Sequence, residues 1–454
     1  MVEPRLGAAD AEDALVDGDR TIAPGTARAA LAYPTFRRLY LGAFGSNIGS
    51  WMQNAVLGAL ALKLTDSAAF VGLIVFAQLG PLLVFAPIGG ALADVFDRRL
   101  ILLLVSLEQL LLSGALTWLT LDEDPNKTAL VLIVFGIGVG QAIYGPSYSA
   151  TLPALVGHED LAGAISLNSA QMNASRVIGP AIGGVLYAAV GVAWVFGVNT
   201  ATYLIVMAVL MTIRLPPVEQ SPDEPKGLRR LLGGLVVARQ DRTIRRVLLT
   251  MAVFSLFSLP FVTQMPVIAE RNLGIEADSA AFGLFYACLG FGAVVGSLSI
   301  GTVFAQHSKR RLVRQGLGLF AVSLAALALV RDPVPAYPIT IVLGGAYFGT
   351  VTALSTVLQE QLDDRVRGRV LALWIMCFGG TVPIGGPIAG PLIEKTSVTV
   401  VMLFGAFMAA LLGLYAYLYT SEPTGRRARR QALGEPLQAG DAAGLDQHGI
   451  PGVE

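Results

Sequence analysis

The sequence predicts an all-α membrane protein: twelve transmembrane helices in two six-helix pseudo-repeats. Three observations predict it. First, the 454 residues are 54% apolar and only 14% charged, whereas an average soluble domain is roughly 25% charged. Charge that sparse cannot coat a water-facing surface, so lipid must take its place. Second, the apolar residues fall into twelve segments, each near the ~20 residues that cross hydrocarbon as a helix. Third, short motifs recur between the first six segments and the last six.

The segments run in order over 39–62, 71–93, 100–121, 129–149, 161–190 and 194–213, then 247–269, 282–303, 312–330, 338–357, 370–393 and 399–419. Long apolar runs without a period of two are helices rather than barrel strands. The 51 glycines and 24 prolines suit membrane helices. Cys288 and Cys377 sit inside apolar stretches, and His158, His307 and His448 are scattered. That excludes a disulfide framework or a Cys/His metal cluster, so no metal and no cofactor are expected. A chain this apolar also excludes nucleic-acid binding as its main business.

Between the segments, basic residues alternate with the loops. Arg37, Arg38, Arg98, Arg99, the run from Lys226 to Arg246, Lys309 to Arg314, Arg365, Arg367, Arg369 and Arg426 to Arg430 fall on one side. The other side has Lys63, Lys127, Arg271, Arg331 and Lys395, mostly beside acids. The positive-inside rule then puts both termini in the cytoplasm and supports an even number of spans. Residues 1–33 are polar and acidic, with no apolar stretch after a basic start, and read as a disordered cytoplasmic tail rather than a signal peptide. Residues 34–214 form the first bundle and 246–420 the second, and 421–454 are a second cytoplasmic tail. The linker, 215–245, opens with Pro216, Pro217, Pro222 and Pro225. Leu228, Leu231, Leu232, Leu235 and Val236 then recur among arginines at helical spacing, as in an amphipathic helix on the membrane surface.

The internal repeat is short but ordered. Arg98-Arg99-Leu100 follows span 2 and Arg310-Arg311-Leu312 follows span 8. Gly179-Pro180-Ala181-Ile182-Gly183-Gly184 lies in span 5 and Gly386-Pro387-Ile388-Ala389-Gly390 in span 11. Duplicated six-helix bundles are an architecture of secondary transporters.

The loop after span 2 reads Gly90-Ala91-Leu92-Ala93-Asp94-Val95-Phe96-Asp97-Arg98-Arg99-Leu100. It resembles the signature loop of the major facilitator superfamily, with Asp97 where the second glycine is usual and Val95 where a basic residue is usual. The resemblance implies the major facilitator fold and a gating latch, with Gly90, Asp94, Asp97, Arg98 and Arg99 as its residues and Asp94 facing the positive end of a neighbouring helix. The plainer reading is a capped turn with basic anchors, in which Asp97 ends one helix and caps the next. That reading is favoured for Arg98. Further on, Phe36-Arg37-Arg38-Leu39-Tyr40, Ser46 with Gly49-Ser50-Trp51-Met52-Gln53, Leu64-Thr65 with Ser67, Gly72-Leu73, and Val366-Arg367-Gly368-Arg369-Val370 appear in order. Together they resemble the transmembrane secretion effector branch, which includes enterobactin exporters and macrolide efflux proteins. The resemblance covers about residues 33–419 and names a branch, not a substrate.

Span 5 carries Arg176-x-x-Gly179-Pro180-x-x-Gly183-Gly184, which resembles the antiporter motif of drug exporters, with Ser175 where an earlier glycine is expected. Its glycines either serve close packing or help set export direction. Arg176 is mid-span, where a lone arginine costs several kcal/mol, so it should face the interior and have a partner. Glu108 is the one acid clearly embedded in a span. It is a coupling candidate with Arg176, against the reading of a buried structural acid. Asn47, Asn54, Gln141, Gln171 and Gln264 are the candidates for lining a substrate cavity; the alternative is interhelical hydrogen bonding. Asn47 and Asn54 are seven apart and share a helix face, while Gln53 points elsewhere. Phe254, Phe257, Phe261, Phe285, Tyr286 and Phe291 cluster in spans 7 and 8, where core or lipid-facing roles compete with stacking on substrate.

The expected function is secondary active export of a small amphiphilic molecule, a siderophore-like metabolite or an antibiotic, by proton antiport with alternating access. No phosphate-cradling G-x-x-x-x-G-K-[ST] and no serine elbow is present, so neither ATP-driven pumping nor an enzyme is expected. The expected partners are the small-molecule substrate, protons and membrane lipid; the expected state is a monomer in the cell inner membrane. An importer of the same fold and a non-transporting sensor or scaffold remain as alternatives.

Overall fold

The computed structural model describes residues 23–213, 235–362, 370–371 and 373–420, and among them every regular element is helical. Twelve helical rods follow one another. In the first half they are α1 (Pro34–Thr65), α2 (Ala68–Leu79 continued by Pro81–Val95), α3 (Arg98–Leu119), α4 (Lys127–Leu155), α5 (Leu161–Val190) and α6 (Val192–Thr212). In the second half α7 runs from Arg242–Val253 to Met265–Leu273, followed by α8 (Ala280–Gly301), α9 (Lys309–Leu329), α10 (Pro333–Gln359), α11 (Leu373–Lys395) and α12 (Val398–Thr420). Ten of the rods are long and apolar enough to cross a membrane. The other two, α1 and α5, have 32 and 30 residues but carry Asn, Gln, Ser and Arg side chains, which lowers their hydropathy and suits helices packed on both sides. Twelve spans are consistent with this set.

Local chemistry starts and stops these rods. Ser67, Asn126, Asp241, Ser279 and Asp332 accept hydrogen bonds from the first turns of α2, α4, α7, α8 and α10, which satisfies N–H groups left without a helical partner. Gly191 (φ 91°) separates α5 from α6, and Asp66 (φ 46°) takes the left-handed conformation that ends α1. Three rods are irregular. α2 changes course at Gly80-Pro81, where the proline supplies no N–H. α7 holds a π turn at Phe254–Ser258 followed by Pro260, and α11 holds one at Met376–Gly380 followed by Pro383 and Pro387.

In the first half α1 packs on α5 and α6, α3 on α4 and α6, and α2 on α4. In the second, α8 packs on α10, and α9 on α10 and α12. The halves meet through two helix pairs, α5 with α8 and α2 with α11. These pairs are images of each other under the repeat, because the second and fifth helices of one half meet the fifth and second of the other.

Composition assigned residues 23–33 to a disordered tail, and the structure corrects that assignment. Ala27–Ala32 is a short helix capped by Thr26, whose hydroxyl accepts from the Ala29 N–H at 3.2 Å. It is pinned by the buried carboxylate of Asp160, which accepts from the Gly25 N–H at 2.9 Å and the Tyr33 hydroxyl at 3.1 Å. Ala29 and Ala30 are buried, and Gly163 of α5 leaves room for the backbone at Thr26 and Ala27, a fit that polar composition does not reveal. Of the linker 235–245 are described: 235–240 are helical, Asp241 interrupts the helix, and α7 starts at Arg242; Leu228, Leu231 and Leu232 lie outside the described residues, as do 1–22 and the tail beyond 420.

Candidate functional site

Halfway along α5, Arg176 turns into the space between the halves. Its guanidinium carbon lies 5.2 Å from the centroid of the Trp51 ring, on α1, and 4.4 Å from that of Phe348, on α10. All three residues are near the middle of their helices, so the contact sits at mid-depth. Close packing places it there. A Cβ at Gly179 would lie 2.6 Å from Trp51 Cβ and 2.8 Å from the Ile48 carbonyl oxygen, so only glycine lets α1 and α5 come together one turn from Arg176. From the other half, a Cβ at Gly290 of α8 would lie 2.6 Å from the Arg176 carbonyl oxygen. The expectation of an interior-facing arginine with a partner holds, but the partners are two aromatic faces. Its Nε is buried without a hydrogen-bond partner, and its ionisable neighbours are the phenols of Tyr347 and Tyr286.

The remaining residues of the α5 motif pack helices closely. A Cβ at Gly183 would meet Met52 at 2.8 Å, and one at Gly184 would meet Gly283 Cα of α8 at 2.5 Å; a Cβ at Gly283 would in turn lie 2.7 Å from the Pro180 carbonyl oxygen. The repeat-related pair is built the same way, with a Cβ at Gly72 lying 2.4 Å from the Gly386 carbonyl oxygen.

Glu108 lies away from Arg176, against Gly140 of α4. Its Oε2 accepts from Gln109 Nε2 at 2.9 Å. Gln109 Oε1 accepts from the Tyr203 hydroxyl at 3.2 Å, and that hydroxyl bonds Ser50 at 3.0 Å. Since Tyr203 donates to Gln109, Ser50 donates to Tyr203. The chain of bonds thus runs from α3 through α6 to α1 and ends at the residue beside Trp51. A second cluster holds Gln53, whose Oε1 accepts from Ser113 and Asn199, each at 2.8 Å.

The five cavity candidates do not converge. Asn54 accepts from Gln78 of α2. Gln171 is buried and donates to Asn168 at 2.8 Å and to Tyr148 at 3.4 Å. Gln264, at the break in α7, donates to the Ala68 carbonyl across the halves at 3.1 Å. Asn47 is half-buried and Gln141 exposed. Asn54, Gln171 and Gln264 therefore bond between or along helices. Phe254, Phe261 and Phe285 are core residues of the second half, while Phe291 is exposed. Sequence reasoning missed Phe348 and the role of Trp51; a Trp one turn from the glycine-rich face of α1 was the available signal.

At the loop after α2, Asp97 caps α3 as expected, accepting from the Arg99 N–H at 2.8 Å. Arg98 donates to the carbonyls of Ala93 (3.2 Å) and Ala150 (2.8 Å), tying α2 to α4. Arg99 donates to Leu210 and Met211, both at 2.8 Å, at the end of α6. Lys309 does the same in the second half, donating to the carbonyls of Ile300, Phe304 and Ala305. Cations here meet the negative ends of helices. Gly90 has open space around it, and the neighbouring Gly89 makes the close approach, to Ile143 of α4. The side chain of Asp94, and the motif Val366-Arg367-Gly368-Arg369, lie outside the described residues.

The opposite end joins the halves. Lys63 pairs with Asp278. Arg271 bonds Asp66 and Glu394, each at 3.3 Å, and Glu394 also accepts from the Ala68 N–H at 2.6 Å, at the first turn of α2. With the glycine contacts of α5/α8 and α2/α11, this closes the space above Arg176 on the side away from the basic loops.

Two inverted-order helix pairs holding two six-helix halves around a mid-depth site define a membrane transporter of the major facilitator type. Solved structures share that fold. The nucleoside transporter NupG superposes with a TM-score of 0.70 at 14% identity, covering 85% of this chain and 99% of that one. A bacterial homologue of the iron transporter ferroportin, in an inward-facing state, superposes at 0.69 with 16% identity, covering 86% and 99%. The transmembrane secretion effector family matches residues 25–438, and the chain belongs to that family. Among curated relatives, the enterobactin exporter EntS of Escherichia coli O1:K1 is 29% identical over 352 residues, 75% of this chain and 81% of the relative. EntS of Shigella boydii serotype 4 is 29% identical over 354 residues.

Proposed function

We propose that the protein is a secondary active exporter of a small amphiphilic molecule, a siderophore-like metabolite or an antibiotic, in the bacterial inner membrane. The observation that carries this reading is the match to enterobactin exporters along most of both chains. With the basic loops in the cytoplasm, as the positive-inside rule has it, the joined end faces outward. On that reading the joined end is the outer gate, and cytoplasmic substrate reaches the mid-depth site from the other end. Rocking the halves about α5/α8 and α2/α11 would open the outer end in exchange.

Proton antiport is the energy source we propose, because the chain has no phosphate-binding loop for ATP. Glu108 carries the proton. Its bonds through Gln109, Tyr203 and Ser50 give its charge a path to α1, where Trp51 touches Arg176. The test is proton flux in respiring everted vesicles. Siderophores, macrolides and lipophilic cations are added after the pH gradient is established. At least one compound should collapse the gradient through the native protein, and Glu108→Gln should reduce that response at least tenfold while the purified variant still binds the compound. A full response from Glu108→Gln would remove it from the coupling step.

A further inference from the structure

Arg176 is more than a glue between helices. An arginine at mid-membrane is costly. A desolvated cation–π contact returns part of that cost, and here two rings do so. A ring face, however, accepts no conventional hydrogen bond. Guanidinium presents five N–H donors in a planar fork, and here the Nε donor is buried without a partner. Its ionisable neighbours among the described residues are the phenols of Tyr347 and Tyr286, and none of the ion pairs of the described residues includes it. The site therefore holds a net positive charge, an unmet Nε donor and two aromatic faces at one place, with Gly179 and Gly290 keeping the backbones tight around it.

We infer that Arg176, with Trp51 and Phe348, is the recognition site for a planar aromatic anion, a carboxylate being the simplest case. This rests on the transporter reading above and names its substrate class. The acid group takes the guanidinium fork bidentately, and the ring system lies against Trp51 and Phe348. Trp51 and Phe348 belong to different halves, so a ligand held between them touches both and senses their rocking.

The test is equilibrium binding to the purified full-length protein, by calorimetry, with 1-naphthoate and its neutral counterpart 1-naphthamide. The expected result is at least tenfold tighter binding of the naphthoate. Arg176→Gln should abolish that preference, while an unchanged circular dichroism spectrum and thermal midpoint show that the fold is intact. Arg176→Lys should keep part of the preference, because it keeps the charge and loses the fork. Phe348→Ala should weaken both probes. Equal affinities in the native protein, no saturable binding of either probe, or a preference that survives Arg176→Gln would each overturn the inference. No gradient is used, so the result is separable from the export reading. Export without anion preference defeats this inference alone, and anion preference without export defeats the export reading alone.

Discussion

Arg99 donates to two carbonyls at the end of α6, and its planar fork suits both at once. Arg99→Ala should therefore lower stability by about 1–2 kcal/mol, the scale of charge-assisted hydrogen bonds at a helix terminus. Arg99→Lys should recover less than half, since an ammonium cannot span both carbonyls as a fork does. Thermal unfolding of the purified protein checks both. At this scale the sequence was partly legible. Asp97 as the cap of α3, Arg176 as an interior arginine and Glu108 as an embedded acid could all be read from residue type and position. Their partners could not. Trp51 and Phe348 lie on helices far from α5 in sequence, and nothing in hydropathy says which ring faces which charge. Three of the five amides, Asn54, Gln171 and Gln264, bond to neighbouring groups of the protein, because an amide in lipid needs a hydrogen bond, and a neighbouring helix supplies one as well as a ligand does.

The helix pairs between the halves are where small residues decide geometry. A Cβ at Gly184 would meet Gly283 Cα at 2.5 Å and Gly283 N at 2.8 Å, and these are backbone atoms that cannot step aside cheaply. Gly184→Ala should thus destabilise the joined end by about 1–3 kcal/mol, as overpacking does, and move the population toward the state open at that end. A cysteine placed at Ser279, beside the contact, should react at least several-fold faster with a membrane-impermeant maleimide in Gly184→Ala than in the native background. An unchanged rate would mean that the contact is not closed in solution. The repeat of Gly-Pro with trailing glycines in α5 and α11 was legible in the sequence, and the structure puts both copies at the interface. The π turns of α7 and α11 were not legible, because a single extra residue in a turn leaves no mark on an apolar run.

Across the whole molecule, the order of twelve apolar segments and the one-sided distribution of arginine could be read directly, because bilayer thickness and membrane insertion impose both. Which end is closed could not, since the arginine distribution reports which end faces the cytoplasm and not which end the two halves join. The contacts at the joined end differ in weight. Lys63 is largely solvent-exposed and Asp278 only partly buried, so Lys63→Ala should cost no more than about 1 kcal/mol. Glu394 serves Arg271 and the first turn of α2 together, so Glu394→Ala should cost more, about 1–2 kcal/mol, and should raise the share of molecules open at that end.

The most direct test of the account is a pair of distance measurements by pulsed EPR in reconstituted, transport-active protein, with Cys288 and Cys377 replaced by serine. One spin-label pair sits at Leu121 and Val334, exposed at the joined end of the two halves, and the other at Val95 and Phe304, exposed at the basic end. Without substrate, the account predicts a short, narrow distance at the joined end and a long one at the basic end. With a transported compound and an acidic outer face, a second population should appear in which the joined end lengthens as the basic end shortens. Distances that stay fixed while the protein transports, or that lengthen at both ends together, would contradict alternating access by these two halves.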